Sequence, residues 1–263
     1  MKLTILGSSD AFNSAGRCHA SYLVDGEGLP TVAVDFGATS LLALHRAGMR
    51  ATALDAVLIT HLHGDHFGGL PFLLLDGMYS DRRTAPLTLI GPVGLTERLG
   101  RLFSALYPDI WERPRPFELR IHELGAGESC LLEGLRVEAF AASHMEPPDF
   151  PLCFRVAAER PGGATRVLAF SGDTEPCDGL RAAATGADLL VAECSGLAPP
   201  CGRHITWLDW RRLFAELLEV ARVPRVVLSH LDREVRARAD ELRCDIPTGV
   251  EVTFADDGLT FDV

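Results

Sequence analysis

The sequence predicts an α/β fold in which strand-rich layers are flanked by helices. Two halves of the chain contain many short apolar runs typical of strands, and segments with helical spacing lie between and after them. Nothing resembling a linker divides the 263 residues, so we expect one domain over residues 1–263. A hydrophobic content of 47% with 23% charged residues is ordinary for a protein with a substantial core. Together these observations predict a layered α/β sandwich.

The first half opens with strands and then alternates strands with helices. Glycine- and aspartate-rich turns separate the opening apolar runs, which predicts an antiparallel margin of a sheet. The predicted strands cover residues 3–6, 21–24, 31–34, 56–60 and 87–90, and the predicted helices cover 39–47, 70–75 and 95–106. Residues 112–116 contain two prolines and are therefore a loop. That loop could cover a site as a lid, or it could simply connect two elements.

The second half shows the same alternation. The predicted strands cover residues 117–124, 129–132, 135–141, 153–157, 166–169, 189–192 and 226–228, and the predicted helices cover 208–221 and 233–243. Strands 153–157 and 166–169 should pair across Pro161-Gly162-Gly163, and residues 250–263 should form a hairpin that turns at 256–258. Trp207, Trp210 and Phe214 have helical spacing, so the core is their expected place, with a dimer interface as the alternative.

A dense cluster of potential metal ligands follows the strand at 56–60. Residues 61–66 read HLHGDH and hold four imidazole or carboxylate groups. Alternation directs His61 and His63 to one side, and Gly64 lets the chain turn back before Asp65 and His66. This density is more typical of a metal site, and of two adjacent ions, than of a solvated polar loop. The ligand types suit Zn²⁺, with Mn²⁺ or iron as alternatives.

Three further polar side chains, His144, Asp173 and His230, stand where apolar strands end. A lone strand-end histidine is usually a structural residue, but three such residues beside the 61–66 cluster favour a shared metal centre. The expected ligands are His61, His63 and His144 for one ion, Asp65, His66 and His230 for the other, and Asp173 as the bridge. Water between the two metals would be the nucleophile, and Asp65 would orient it or receive its proton.

Two other carboxylates also end strands. Asp35 could be catalytic, but an aspartate that bonds neighbouring backbone amides is the preferred interpretation. Glu193 and His204 form a candidate pair, because a carboxylate bonded to an imidazole raises its basicity, and protonated His204 could then donate to a leaving oxygen. Equally, His204 could cap the helix that follows Thr206 or lie in a surface loop.

The same residues carry a family resemblance. The pattern His-x-His-x-Asp-His after an apolar strand resembles the signature of the metallo-β-lactamase superfamily. The segment order, through Ile90-Gly91-Pro92, residues 171–174 and residues 228–230, resembles the ribonuclease Z-like branch over nearly the whole chain. The resemblance implies a metallo-β-lactamase-like αββα sandwich of two mixed sheets, the seven metal ligands given above, and a Glu193–His204 pair that assists leaving-group protonation.

Two departures from that branch argue against tRNA 3′-end processing. Only 28 residues, 145 to 172, separate His144 from Asp173, which leaves no room for the arm that grips tRNA in that branch. The branch's tRNA-contacting loop is represented only by residues 14–19. There Arg17 and His19 could contact a small substrate's phosphate or be ordinary loop residues. We therefore expect a small phosphodiester or ester substrate and no large nucleic acid.

The function that the sequence favours is a dinuclear metal-dependent hydrolase, most simply a phosphodiesterase that acts through a metal-bridging hydroxide. A Glu193–His204 proton donor suits an alkoxide leaving group at phosphorus, which favours this reaction over acyl, lactone or sulfate ester hydrolysis. A tRNA 3′-processing endonuclease is a further alternative. A non-catalytic metal-binding protein is disfavoured because no expected ligand is missing.

Charge and cysteine content bound the partners and the compartment. A net charge of -11 repels polyanions at long range, so a nucleic acid would need a local basic patch. The seven cysteines are odd in number and form no Cys-x-x-Cys pair, which predicts reduced intracellular thiols, with a second metal site as the alternative. The N-terminus is too quickly polar for a signal peptide. We expect a cytoplasmic protein without membrane contact that could form a homodimer.

Overall fold

The computed structural model describes residues 1–158 and 165–263. Its strands are β1 (Lys2–Gly7), β2 (Ser21–Asp25), β3 (Val32–Val34), β4 (Ala56–Leu58), β5 (Leu87–Pro92), β6 (Leu119–Leu124), β7 (Ser129–Leu132), β8 (Leu135–Ala141), β9 (Leu152–Ala158), β10 (Arg166–Phe170), β11 (Leu189–Glu193), β12 (Arg225–Ser229), β13 (Glu251–Phe254) and β14 (Thr260–Asp262). Its α-helices are α1 (Ser40–Arg46), α2 (Gly64–Phe67), α3 (Leu70–Leu75), α4 (Leu95–Leu106), α5 (Asp178–Ala184), α6 (Trp207–Glu216), α7 (Arg233–Ala237) and α8 (Ala239–Leu242). Single π-helical turns, Asp76–Ser80 and Leu217–Ala221, extend α3 and α6.

The strands form two seven-stranded sheets, each with an antiparallel part and a parallel part. The first sheet has the order β14-β1-β2-β3-β4-β5-β6, and the second has the order β13-β12-β11-β10-β9-β8-β7. In the first sheet β14, β1, β2 and β3 pair antiparallel, and β3 to β6 pair parallel. In the second sheet β7 to β10 pair antiparallel, and β10 to β13 pair parallel. The predicted fold of two mixed sheets flanked by helices is therefore confirmed, as is the antiparallel margin.

Alternating apolar side chains pack the two sheets face to face. On β8, Leu135 and Val137 are buried in one cluster with residues of both sheets, among them Phe154 of β9. Tyr22 of the first sheet and Phe170 of the second place their ring centroids 5.6 Å apart across this layer. A layer closed on both sides in this way excludes water from the strands and holds their ends in fixed positions.

The outer faces of the sheets are covered by helices. α1, α3 and α4 bury their apolar sides against the first sheet, and α5 and α6 bury theirs against the second. Trp207, Trp210 and Phe214 of α6 are buried in this second outer cluster, which confirms that they belong to the core. α6 begins with a capping box, in which Thr206 and Asp209 satisfy each other's backbone amides.

Two predicted elements differ from the structure. The hairpin predicted at 250–263 is wrong, because β13 pairs with β12 of the second sheet and β14 pairs with β1 of the first. The chain crosses the sandwich at this turn, where Gly258 N donates to Ile5 O and Ile5 N donates to Leu259 O. The helix predicted at 233–243 divides into α7 and α8 at Arg238. Sequence periodicity indicates whether a segment is a strand or a helix, but it does not indicate which strand a given strand pairs with.

The remaining predictions on connections have mixed outcomes. The predicted turn Pro161-Gly162-Gly163 lies outside the described residues, but β9 and β10 on either side of it pair antiparallel as expected. Residues 112–116 connect α4 to β6. Arg115 stacks on Trp111, with its guanidinium 4.6 Å from the ring centroid, and Trp111 packs on Phe103 of α4.

All seven cysteines are free thiols. Among the described helices, none has both the length and the apolar content that a membrane span requires.

The packing between the sheets predicts a large stability loss in a cavity variant. Phe154 is fully buried between the sheets, so Phe154→Ala should lower the free energy of unfolding by about 3 to 5 kcal/mol. Urea denaturation with a metal chelator present measures this quantity. Val220→Ala, at a side chain that is 75% exposed, is the control and should change stability little. A loss for Phe154→Ala as small as that of the control would contradict a close-packed interface between the sheets.

Candidate metal centre

The strand ends bring the predicted ligands to one rim of the sandwich. In the first sheet, β3 and β4 run parallel and lead directly to Asp35 and to the segment 59–66. In the second sheet, β10, β11 and β12 run parallel and lead to Asp173, Glu193 and His230. β8 has the same direction as β10, because each pairs antiparallel with β9, and it leads to His144. The carboxyl ends of parallel strands are a common place for sites in such folds.

Three histidines form the first of two adjoining clusters. Nδ1 of His63 lies 3.2 Å from Nε2 of His61 and 3.0 Å from Nε2 of His144. The rings of His61 and His144 meet that of His63 at nearly right angles, so the nitrogens converge while the ring faces stay apart. Converging imidazole nitrogens of this kind are a ligand set typical of Zn²⁺.

Two carboxylates and two histidines form the second cluster, which adjoins the first. Nε2 of His66 lies 3.2 Å from Asp65 Oδ2 and 3.4 Å from Asp173 Oδ2. Nε2 of His230 lies 3.3 Å and 3.4 Å from the same two oxygens. Asp173 Oδ2 is also 3.8 Å from Nε2 of His61 in the first cluster. Asp173 therefore stands between the two clusters, where a bridging carboxylate would be required.

In three of the candidate ligand rings, those of His61, His66 and His144, the second nitrogen is held by a neighbouring acceptor. His66 Nδ1 donates to Asp35 at 2.8 Å, and His61 Nδ1 lies 3.1 Å from Thr60 Oγ1, which itself donates to Asp35. His144 Nδ1 donates to the Arg203 carbonyl at 2.9 Å. These bonds turn the Nε2 atoms of all three rings towards the clusters and select the tautomer whose lone pair is available there.

Asp35 and Ser195 have roles that sequence reasoning did not assign. Asp35 accepts from the Thr60 amide, as predicted for a strand-end aspartate, but it also orients the rings of two histidines. Ser195 Oγ lies 2.8 Å from His230 Nδ1 and donates to Glu193 Oε2 at 2.5 Å. The signal for Asp35 was its place at the end of the strand next to the ligand strand. For Ser195 the only sequence signal was its position two residues after Glu193.

Electrostatics support a cation at these clusters. Burial lowers the pKa of His230, but the charge of Asp173 and the bond to Asp65 together outweigh burial and raise that pKa to about 9. Burial would likewise raise the pKa of Asp65, yet His66 and His230 hold it well below its usual range. His66 Nε2 and Asp173 Oδ1 are buried and have no hydrogen-bond partner among the described residues. Unpaired nitrogen and oxygen atoms beside an excess of carboxylate charge fit a divalent metal.

Glu193 and His204 form a hydrogen-bonded pair beside the clusters. His204 Nδ1 donates to Glu193 Oε2 at 2.8 Å, and the Thr174 amide donates to Glu193 Oε1 at 2.5 Å. Burial lowers the pKa of His204, but the bond to Glu193 and the charges of Glu193 and Asp173 together outweigh burial and raise that pKa. The alternative that His204 caps α6 is wrong, because Thr206 is the cap. His204 can therefore carry a proton into the site.

A cavity of about 540 Å³ opens onto these residues. The side chains around it come from both clusters and from adjoining loops: Asp10, Ala11, Phe12, Ser14, His63, Asp65, His144, Asp173, Ser195, Cys201, Gly202, His204, His230, Asp232 and Arg233. His61 and His66 are buried behind them. Residues 112–116, one candidate for a lid, do not belong to this set.

The two predicted phosphate contacts, Arg17 and His19, are not among the residues that line the cavity. The Arg17 guanidinium pairs with Asp256, and this bond raises the pKa of Arg17. A substrate contact by Arg17 would therefore have to compete with that ion pair. His19 is buried, where its amide donates to Thr39 Oγ1 at 2.8 Å, and burial lowers its pKa.

Comparisons with known proteins agree with this architecture. Residues 32–231 match the model of the β-lactamase superfamily domain. Ribonuclease Z of Mycobacterium bovis (strain BCG / Pasteur 1173P2) is 34% identical over 202 residues, which cover 73% of this chain and 69% of that protein. Human tRNase Z, short form, superimposes with a TM-score of 0.74 at 24% identity, over 100% of this chain and 99% of the other. A diphosphatase from the PhnP family does so with a TM-score of 0.75 at 18% identity, over 100% and 97%.

These comparisons overturn one expectation. The net charge and the short 145–172 segment predict that no large nucleic acid is a partner. That exclusion is wrong, because relatives that share a third of their residues with this chain are ribonucleases by name, and a similar structure is a tRNase. Net charge describes long-range repulsion between whole molecules and says little about a contact at one site.

The geometry of Asp173 predicts how metal content responds to substitution. Because its Oδ2 faces both clusters, Asp173→Ala should lower the content of both ions, whereas His144→Ala should mainly affect one. Protein purified without chelator and reloaded with Zn²⁺ or Mn²⁺ would be measured by elemental analysis. If the wild-type protein held at most one ion per chain after reloading, a dinuclear centre would be contradicted.

The contact of Asp35 with His66 predicts a loss of metal affinity without loss of a ligand. Asp35→Ala should weaken metal binding roughly 10- to 100-fold, because the ring of His66 would no longer be held in one orientation. Competition with a chromogenic chelator measures this affinity. Asp188→Ala is a matched control, since Asp188 also accepts a backbone amide bond, from Val167. Equal effects of the two substitutions would show that Asp35 stabilises the fold only.

Proposed function

The chain belongs to the metallo-β-lactamase superfamily, in its ribonuclease Z-like branch, and from this membership we propose that it is a dinuclear metal-dependent phosphodiesterase. Membership itself makes the chain a metal-dependent hydrolase. One observation carries the step to a dinuclear centre: Asp173 Oδ2 lies 3.4 Å from His230 Nε2 and 3.8 Å from both His61 Nε2 and His144 Nε2. A single carboxylate oxygen so placed can serve ligand sets on both sides.

In this proposal the two clusters hold one divalent cation each, with Zn²⁺ the ion that best suits their nitrogen and oxygen atoms. The ligands would be His61, His63 and His144 on one side, Asp65, His66 and His230 on the other, and Asp173 between them. When bound, the two cations would supply positive charge to a phosphoryl-transfer transition state and would acidify the attacking water. Asp65, which lines the cavity, would orient that water through its carboxylate.

The pair formed by His204 and Glu193 supports a reaction with a poor leaving group. His204 reaches the cavity, and its bond to the buried Glu193 favours the protonated ring. Protonated His204 would donate its Nε2 proton to the departing alkoxide oxygen, and Glu193 would stabilise the charge until that transfer. An acyl or lactone ester can expel its alcohol from a tetrahedral intermediate more easily, so this donor favours a phosphodiester.

Two substrate classes are compatible with this chemistry. A small phosphodiester, such as a cyclic nucleotide, matches a cavity of about 540 Å³. The ribonuclease names of the curated relatives favour a second candidate, the 3′ end of an RNA chain. Both candidates present the same reacting group to the same proton donor, so one set of catalytic roles applies to either.

The proposed role of His204 predicts an effect that depends on the leaving group. His204→Ala should lower turnover of diesters that release a sugar hydroxyl by roughly 10²- to 10⁴-fold, because that oxygen needs a proton. An activated nitrophenyl diester needs none, so its turnover should fall much less. Steady-state rates of metal-loaded protein on both diesters, with a lactone for comparison, measure this difference.

Glu193→Gln provides the matched variant for this experiment, because it removes the charge that favours protonated His204 and keeps a side-chain oxygen that can accept from Ser195. It should reproduce the same dependence on the leaving group, with metal content unchanged. Loss of metal from the His204 variant would instead make His204 a ligand, as its place within 3.8 Å of Asp173 also allows. Equal losses on both diesters, or faster turnover of the lactone, would refute the proposed reaction.

A further inference from the structure

One aromatic side chain at the cavity rim has no role in the chemistry described above. Phe12 lines the cavity and is 87% exposed, more than any other large hydrophobic side chain of the described residues. Single exposed apolar side chains are common, but this phenyl ring lines the cavity beside the metal-ligand clusters, where it offers a flat apolar face to a bound ligand.

The backbone that carries Phe12 is held in place by one carboxylate. Asp10 is buried, and its oxygens accept bonds from the amides of Phe12 and Ser14 and from the hydroxyls of Ser9 and Ser14. Asn13, next to Phe12, has the left-handed conformation with φ of 52°, and its side-chain amide donates to the Arg17 carbonyl. These bonds fix the loop and present the ring of Phe12 at the rim without tying the ring itself.

A free cation lies at the start of α7, directly after a segment that adjoins this loop. Ser9 bridges to Leu231, and Leu231 N donates to Ser8 O, so the segment after β1 contacts the segment after β12. Arg233, in the first turn of α7, is the only arginine or lysine among the described residues that line the cavity. Its side chain is exposed and makes no hydrogen bond or ion pair with any residue in the described ranges.

We infer that Phe12 and Arg233 form a nucleotide subsite, in which a base stacks on Phe12 and a phosphate other than the scissile one pairs with Arg233. The inference rests on the proposed phosphodiesterase function and names its substrate class. A base offers a flat face to the phenyl ring, and stacking of this kind tolerates different bases. The guanidinium of Arg233 suits a phosphate, which it can bind through two parallel hydrogen bonds.

The neighbouring charges agree with this assignment. The carboxylates of Asp10 and Asp232 already accept bonds from nearby backbone amides, those of Ser14 and Val235 respectively. They therefore compete little for Arg233, which stays available for an anionic ligand. An uncharged ester or lactone would leave Arg233 without a partner, whereas a nucleotide diester with a flanking phosphate would satisfy both Phe12 and Arg233.

Three diesters with one common leaving group test the subsite. Methyl p-nitrophenyl phosphate has no base, thymidine 5′-(p-nitrophenyl phosphate) adds a base, and thymidine 3′-phosphate 5′-(p-nitrophenyl phosphate) adds a second phosphate. Any stacking of the nitrophenyl ring is common to all three and cancels in their comparison. KM and kcat would be measured with the metal-loaded full chain.

Phe12→Ala should raise KM for the two thymidine diesters by roughly 5- to 100-fold and leave the methyl diester nearly unchanged, while Phe12→Trp should retain wild-type KM. Arg233→Gln should raise KM roughly 5- to 30-fold for the diester with the second phosphate alone, and less so at high salt. Tyr79→Ala and Arg212→Gln, at exposed residues outside the cavity lining, are the matched controls and should change none of the three.

The outcomes separate the subsite from the reaction. If the wild-type protein turns over the diesters but both variants affect all three equally, or none, the nucleotide subsite is refuted and the phosphodiesterase function stands. If the metal-loaded wild-type protein hydrolyses none of the three, the phosphodiesterase function fails and the subsite fails with it.

Discussion

The position of Asp173 between two ligand clusters is the constraint on which the rest of the site depends. Its buried carboxylate faces imidazoles that come from both sheets, with His66 on the first and His230 on the second. A carboxylate removed from water is costly unless charge or hydrogen bonds compensate it, and one oxygen of Asp173 has no partner in the described residues. The two sheets must therefore meet at one rim with an accuracy of a few tenths of an ångström, and the shared core between them provides that rigidity.

A second layer of bonds couples the proposed metal ligands to the proposed proton donor. His230 Nδ1 donates to Ser195 Oγ, Ser195 Oγ donates to Glu193 Oε2, and the same oxygen accepts from His204 Nδ1. The indole of Trp210 donates to the Glu193 carbonyl at 2.9 Å and so fixes the end of β11 against α6. A ligand of one cluster and the residue that would protonate the leaving oxygen are thus held by a single carboxylate. Their relative position does not depend on a flexible loop alone.

The sequence allowed prediction of the features that a short segment determines by itself, namely residue types and the ends of strands. The ligand types in 61–66 and the strand ends before His144, Asp173 and His230 are local patterns, and the structure brings all of these residues together. The roles of Asp35 and Ser195 depend on which strands lie side by side, which no local pattern states. The same limit explains the error at β13 and β14, since a turn signal does not tell whether the chain returns to the same sheet. It also explains Arg17, whose partner Asp256 is 239 positions away.

If two divalent cations occupy the proposed site, charge at the cavity differs from charge over the whole molecule, and this difference bears on the nucleic-acid question. The cavity is lined by the carboxylates of Asp10, Asp65, Asp173 and Asp232 and by one guanidinium, that of Arg233. Two divalent cations would balance those four carboxylates, so Arg233 would make the local charge positive until the attacking water loses its proton, and neutral after that, although the chain as a whole carries -11. Overall repulsion slows the approach of a polyanion and is screened by salt within about 8 Å at physiological ionic strength. Once a phosphodiester reaches the rim, the bound cations and Arg233 would decide binding, and for that reason metal loading should matter more to substrate affinity here than net charge does.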